Sequence, residues 1–171
     1  MEESLKQWLN NHNIKYVLHT HPAVFTVPEA KLHCGHIPGT HCKNLFLKNK
    51  KTGQFYLVTF PHDNRLDLNQ FRKSIAAPKV RFAEPEDLSE ILGITAGAVS
   101  PIGLVNDTNN KVSFIIDEIV WNAEEICCHP NDNTETLQIP RADFQKLIRS
   151  TGNSVEIKNL PYLEPINTND Y

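Results

Sequence analysis

Lys43 and Asn44 stand side by side in the stretch Gly-Thr-His-Cys-Lys-Asn-Leu-Phe-Leu-Lys, residues 39–48. A lysine there is a cation that can be aimed into a pocket, and the amide beside it is a neutral donor and acceptor. A second stretch, Gly97-Ala98-Val99-Ser100-Pro101, carries small residues that let backbone approach a ligand and let successive N–H groups point at one oxygen. Pro101 lacks an N–H and stiffens the exit of that loop. A third stretch, 129–134, offers the imidazole of His129, which titrates near neutral pH, with Asn131 and Asn133 to shape its loop. Taken singly, each has a plainer explanation: a solubilising strand-end lysine, a turn, and a surface or core histidine.

The elements that must position these residues follow from hydrophobic period and punctuation. Leu5, Trp8 and Leu9 have helical spacing, and 16–18 reads as a strand. Thr26 and Glu29 form a capping-box pattern that starts a short helix toward Leu32. Leu45-Phe46-Leu47 reads as the middle of a buried strand, which places Lys43 and Asn44 where a polar loop becomes that strand. A turn at 50–53 returns the chain as a strand over 55–60, a hairpin. Asp67 caps a helix carrying Leu68, Phe71 and Ile75; a strand over 80–82 and a helix over 86–92, closed by Gly93, follow. Residues 112–117 are a buried strand, Trp121 lies in a loop or single helical turn, and strands over 126–128 and 136–139 bracket the His129 loop. A helix from Pro140 to Gly152, with Phe144, Leu147 and Ile148 on one face, and a strand over 154–157 complete the count. Interleaved this irregularly, the elements predict an α+β domain with a mixed, largely antiparallel sheet.

A chain of 171 residues, 40% hydrophobic and 22% charged, suits one domain with its own core, expected over 1–160, with 161–171 as a flexible tail. No apolar run approaches the roughly 20 residues of a membrane helix, and Met-Glu-Glu-Ser lacks the character of an export signal, so no membrane partner and a cytoplasmic location are expected. Cys34, Cys42, Cys127 and Cys128 fit that compartment as free thiols. A net charge of −3 and a pI near 6.2 argue against tight, sequence-blind nucleic-acid binding, while leaving room for a local grip on one end of an RNA. Histidines and cysteines at 33–42 and 127–129 raise the alternative of a metal hydrolase. Their spacing matches neither Cys-x-x-Cys nor His-Glu-x-x-His, so no metal is assigned.

In their order, the 39–48, 97–104 and 129–134 stretches resemble the YbaK/ProX family of aminoacyl-tRNA editing domains. The resemblance is closest to its free-standing branch associated with prolyl-tRNA synthetase, and it runs from about His19 to about Asn159. It implies a curved, barrel-like sheet wrapped by helices. It implies a trans-editing hydrolase that deacylates alanyl-tRNA(Pro), clearing errors of prolyl-tRNA synthetase, with no cofactor. Partners implied are the acceptor end of the aminoacyl-tRNA and the synthetase itself; the chain is expected to be a monomer. It assigns Lys43, Asn44 and His129 to catalysis, and Phe25, Thr26, residues 97–101, Asn131 and Asn133 to substrate binding. A lysine's reference pKa of about 10.4 makes Lys43 an anchor and electrostatic stabiliser rather than a base. Hydrolysis of another small aminoacyl ester (serine or cysteine), or a non-catalytic module that binds tRNA or synthetase, remains as an alternative.

Overall fold

The computed structural model describes residues 1–164. In chain order the elements are α1 (Glu3–Asn11), β1 (Val17–Thr20), α2 (Val27–Cys34), β2 (Thr40–Asn49), β3 (Phe55–Pro61), α3 (Leu68–Ser74) and β4 (Val80–Phe82). There follow α4 (Pro85–Asp87), a π-helical turn (Leu88–Leu92), a 3-10 segment (Pro101–Asn106), β5 (Val112–Asp117), α5 (Glu118–Trp121), β6 (Glu125–Cys128), β7 (Glu135–Pro140), α6 (Arg141–Ser150) and β8 (Val155–Lys158). Among the described residues, eight strands join in the order β1-β7-β6-β2-β3-β5-β8, with β4 paired to β2. Four pairings are antiparallel and three parallel, so the mixed, α+β architecture expected from the sequence is the one found.

The continuous apolar runs of β3 and β5 pair in parallel, Phe55 opposite Val112 through Thr59 opposite Ile116. Strands covered on both faces need no polar alternation. One face, with Phe46, Leu57, Phe114 and Ile116, packs on Leu5 and Leu9 of α1, Phe144 and Leu147 of α6, and the 88–104 segment. The other face, with Leu47, Val58, Phe60 and Ile115, packs on Phe71 of α3. Between α2 and β6 a smaller cluster gathers Val24, Cys34, Ile37 and Cys127.

Three boundaries differ from the sequence reading. β2 begins at Thr40, so Lys43 and Asn44 lie inside a strand rather than at its mouth. The expected helix over 86–92 is a single α turn that widens into a π turn before Gly93, whose φ of +63° is left-handed. Residues 161–163, expected in the tail, are tied down. The Asp67 N–H donates to the Pro161 carbonyl and the Leu163 N–H to the Arg65 carbonyl, and the Tyr162 hydroxyl bonds Asp117. The remainder of that tail, 165–171, lies outside the described residues.

Candidate active site

β2 has β3 along one edge and, on the other, first β6 and then β4. The parallel pairing with β6 consists of two rungs, Thr40 opposite Ile126 and His41 opposite Cys127. The antiparallel pairing with β4 resumes only at Leu47. Between these contacts the edge is open, and β2 and β6 part. One rung on from Cys127, β6 ends at Cys128; the next position, His129, would stand opposite Lys43 had the ladder continued. A cavity of about 480 Å³ occupies the split, with Lys43 and Asn44 on one side and His129 on the other.

Gly97 and Val99 close the cavity from the loop that follows the π turn. Gly97 has φ +94°, a conformation that favours glycine, and a Cβ there would sit 3.6 Å from the Phe25 ring. From the far side Phe25, Thr26, Val27 and Ala30 line the cavity at the start of α2. The capping box predicted for that helix is formed: Thr26 Oγ1 accepts from the Glu29 N–H, and Glu29 Oε2 accepts from the N–H groups of Phe25 and Thr26. The Val24 N–H donates to the Asn133 carbonyl and fixes this wall to the His129 loop. Phe25 is 70% exposed, so it lies on the cavity's lip and not in the core.

The predicted residues divide by what they touch. Lys43 is half-buried on the cavity wall and, among the described residues, enters no ion pair or side-chain hydrogen bond, which leaves its ammonium for a ligand. Asn44 uses both ends of its amide on the protein. Its Nδ2 donates to the Val99 carbonyl at 3.0 Å and its Oδ1 accepts from the fully buried Thr59 hydroxyl at 2.7 Å. Its geometry is that of a brace holding the 97–99 loop against β2. His129 Nδ1 lies 2.9 Å from the Glu135 carbonyl, an acceptor, so Nδ1 carries the proton. Nε2, which makes no protein hydrogen bond among the described residues, is then a lone-pair acceptor. Burial holds the imidazole below its usual pKa, only partly opposed by the Glu135 bond, and keeps it neutral at pH 7.

Three of the five loop residues do not face the cavity. Ala98 is buried in the main core, Ser100 is fully buried, and Pro101 opens the 3-10 segment. Ser100 is structural: its hydroxyl donates to the His129 carbonyl and accepts from the Ile102 N–H, joining the loop to the histidine strand. Asn131 and Asn133 also stay off the cavity wall. Asn131 takes a left-handed φ of +62° and Asn133 acts through its carbonyl, so both shape the loop.

Cys42 and His62 line the cavity without having been singled out as site residues. His62 sits at the end of β3, stacked on His41 with ring centroids 5.4 Å apart. Burial lowers its pKa, against the pull of Asp63. Only the β2–β3 register brings it to the site, and no local pattern marks it. All four cysteines are free thiols, and burial pushes Cys127 up to about 12, the mark of an unreactive thiol. Among the described residues no carboxylate lines the cavity, so Lys43 sets its charge.

Residues 21–147 match the family model described as an aminoacyl-tRNA editing domain. The chain is 35% identical over 153 residues to the prolyl-tRNA synthetase associated domain-containing protein 1 of Danio rerio, covering 88% of this chain and 83% of that one. It is 33% identical over 147 residues to the prolyl-tRNA editing protein ProX of Acetoanaerobium sticklandii, covering 85% and 89%. A crystal structure described as that of a proposed trans-editing enzyme for prolyl tRNA synthetase superposes with a TM-score of 0.68 at 24% identity, over 96% of this chain and 99% of that one. That structure shows the same fold. The chain therefore belongs to the aminoacyl-tRNA editing domains of the YbaK/ProX type, in the branch associated with prolyl-tRNA synthetase.

Proposed function

We propose that residues 1–160 act as one deacylase domain that removes alanine from mischarged alanyl-tRNA(Pro). The observation that carries this reading is a cavity with one cation, unpaired among the described residues, and one neutral imidazole acceptor on opposite sides of split strands. In the reaction, water adds to the ester carbonyl carbon and the bond to the ribose oxygen breaks. Alanine leaves as the acid, and the ribose hydroxyl regains a proton. The Lys43 ammonium stabilises the charge that develops on the carbonyl oxygen. His129 Nε2 accepts a hydrogen bond from the water or from the neighbouring ribose hydroxyl, which helps to activate that water. Asn44 and Ser100 hold the loop and the histidine in place. The exposed ring of Phe25 stacks on the terminal base.

Selectivity is a matter of size. A synthetase pocket shaped for proline excludes the smaller alanine by only about 1–3 kcal/mol. Val24, Val27, Ala30 and Val99 present an apolar wall to the cavity, and on this reading that wall is what accepts a methyl side chain and excludes the larger pyrrolidine ring. On this reading the domain works on tRNA beside the synthetase in the cytoplasm, as a monomer.

The test is a panel of tRNA(Pro) charged separately with alanine, proline, serine and cysteine, with release of each amino acid timed. Rapid loss of alanine with proline retained is the expected result. Preferential release of serine or cysteine would move the substrate within the same mechanism, and retention of all four esters would make the domain a binding module.

A further inference from the structure

Charge is distributed very unevenly along this acidic chain. Residues 48–82 hold 8 of the 17 Lys and Arg and 2 of the 20 Asp and Glu, a balance of +6, which leaves −9 for the rest of a chain whose net charge is −3. The fold gathers all of these cations but Arg65 at one end of β2. Lys48 lies opposite Arg81 and Asn49 opposite Val80 in the β2–β4 ladder. The Lys50 N–H donates to the Lys79 carbonyl. Arg72 of α3 reaches the same place, its Nε donating to the Val80 carbonyl at 2.7 Å and its Nη1 to Asn69 Oδ1 at 3.3 Å. Beside it is a concavity of about 650 Å³ lined by Arg72, Lys73, Asn69, Ala76 and Pro78. Lys48 pairs with Asp87, and Arg81 lies 3.8 Å from Glu84. Lys50, Lys51, Lys73 and Lys79 are exposed and, among the described residues, have no acidic partner. Four unpaired lysines around a guanidinium held by two hydrogen bonds form a surface for a polyanion.

This surface lies along the same edge of β2 that opens into the cavity. At ~3.3 Å per residue, Lys48 is about 17 Å from Lys43 along the strand and Lys50 about 23 Å. A stacked nucleic-acid strand advances ~3.4 Å per nucleotide, so about seven nucleotides separate an ester at Lys43 from Lys50, the first of the unpaired cations along the strand. We infer that Lys50, Lys51, Lys73 and Lys79, with Arg72, grip the phosphate backbone of an RNA duplex whose unpaired 3′ end reaches into the Lys43 cavity. The inference rests on the editing reading for what sits in that cavity; the binding surface itself is argued from charge and topology.

The experiment compares the wild type with the quadruple variant K50Q/K51Q/K73Q/K79Q, which leaves Arg72 and the cavity untouched. Binding of a fluorescently labelled, uncharged tRNA(Pro) transcript is followed by anisotropy from 50 to 200 mM salt. The variant is expected to bind about tenfold more weakly at the lowest salt. Its log K against log salt should be flatter by about 1 for each lysine that meets a phosphate. Both proteins should hydrolyse the alanyl ester of a CCA trinucleotide at equal rates, because that substrate is too short to reach the patch. Unchanged tRNA affinity and salt slope would overturn the inference, as would a variant that loses the trinucleotide reaction too, and so would a variant that loses only its affinity for prolyl-tRNA synthetase. A wild type that binds tRNA through these lysines yet cleaves no ester would sink the proposed function and leave the surface standing.

Discussion

Asn44 and Lys43 are neighbours with separate duties, and substitution separates them. Lys43 enters no ion pair or side-chain hydrogen bond among the described residues, so Lys43→Ala should leave the melting temperature nearly unchanged while deacylation falls by about 10²–10³, the range for losing one preorganised stabiliser of a developing charge. Asn44→Ala strands the Thr59 hydroxyl and the Val99 carbonyl. It should cost about 1–3 kcal/mol of stability, with a lower kcat because the 97–99 loop is released. Thermal melts run beside single-turnover assays decide this, and equal loss of stability in the two variants would erase the distinction. His129 adds a pH dependence whose sign is fixed by burial. Its folded pKa lies below the ordinary value, so the neutral form that accepts a proton persists at neutral pH and is lost only as pH falls below about 6.5. The single-turnover rate should therefore be flat above neutrality and decline on acidification. Stability follows the same direction: below its unfolded pKa the histidine binds more protons in the unfolded chain, so its contribution is lost as the pH is lowered. A rate that rose on acidification would rule out Nε2 as the acceptor.

At the scale of elements, the site is a place where a ladder stops. β2 and β6 share two rungs and then diverge, and the divergence is the cavity. Gly39 sets the first rung: its φ is +120°, and a Cβ there would lie 3.0 Å from the Glu125 carbonyl oxygen and 3.1 Å from Cys127 Sγ. Gly39→Ala should destabilise the fold by about 1–3 kcal/mol. It should also lower kcat by shifting Lys43 relative to His129, read by melting and by alanyl-tRNA(Pro) deacylation; wild-type values for both would mean the rungs do not set the gap. None of this was legible in the sequence, because pairing residue 41 with 127 is a tertiary event with no local signature. What was legible had local causes: the apolar runs of β3 and β5, the Thr26–Glu29 box, the Asp67 cap and the left-handed Gly93. The polar start of β2 read as loop because Thr40, His41 and Lys43 are only partly covered. The 97–101 loop read as a uniform lining because small residues suit both close ligand approach and close packing. Ala98 and Ser100 turn out to serve packing, and Gly97 and Val99 the cavity.

Across the whole molecule, the segment after β8 runs back along residues 65–67 and is tied to the end of β5. Asp117, 1% exposed, ends β5 and collects donors from three directions. Its Oδ1 accepts from the Ile119 N–H at the start of α5, and its Oδ2 from the Leu160 N–H and the Tyr162 hydroxyl. A buried carboxylate held by several donors ties strand, helix and terminal segment into one unit. The Tyr162 ring packs against Phe60, and Leu66 bridges to Tyr162. Tyr162→Phe keeps that packing and removes one donor from the carboxylate, so it should cost about 1.5–3 kcal/mol. For a domain of this size that is a fall in melting temperature of about 3–12 °C. Because Tyr162 lies with the α3-side cluster and lines no part of the Lys43 cavity, kcat for deacylation should stay at the wild-type value. The two readouts together test whether the terminal segment serves the fold alone: a Tyr162→Phe protein with unaltered melting and reduced kcat would show that this segment is coupled to the site, and the division between a stabilising terminal segment and a reactive split would have to be abandoned.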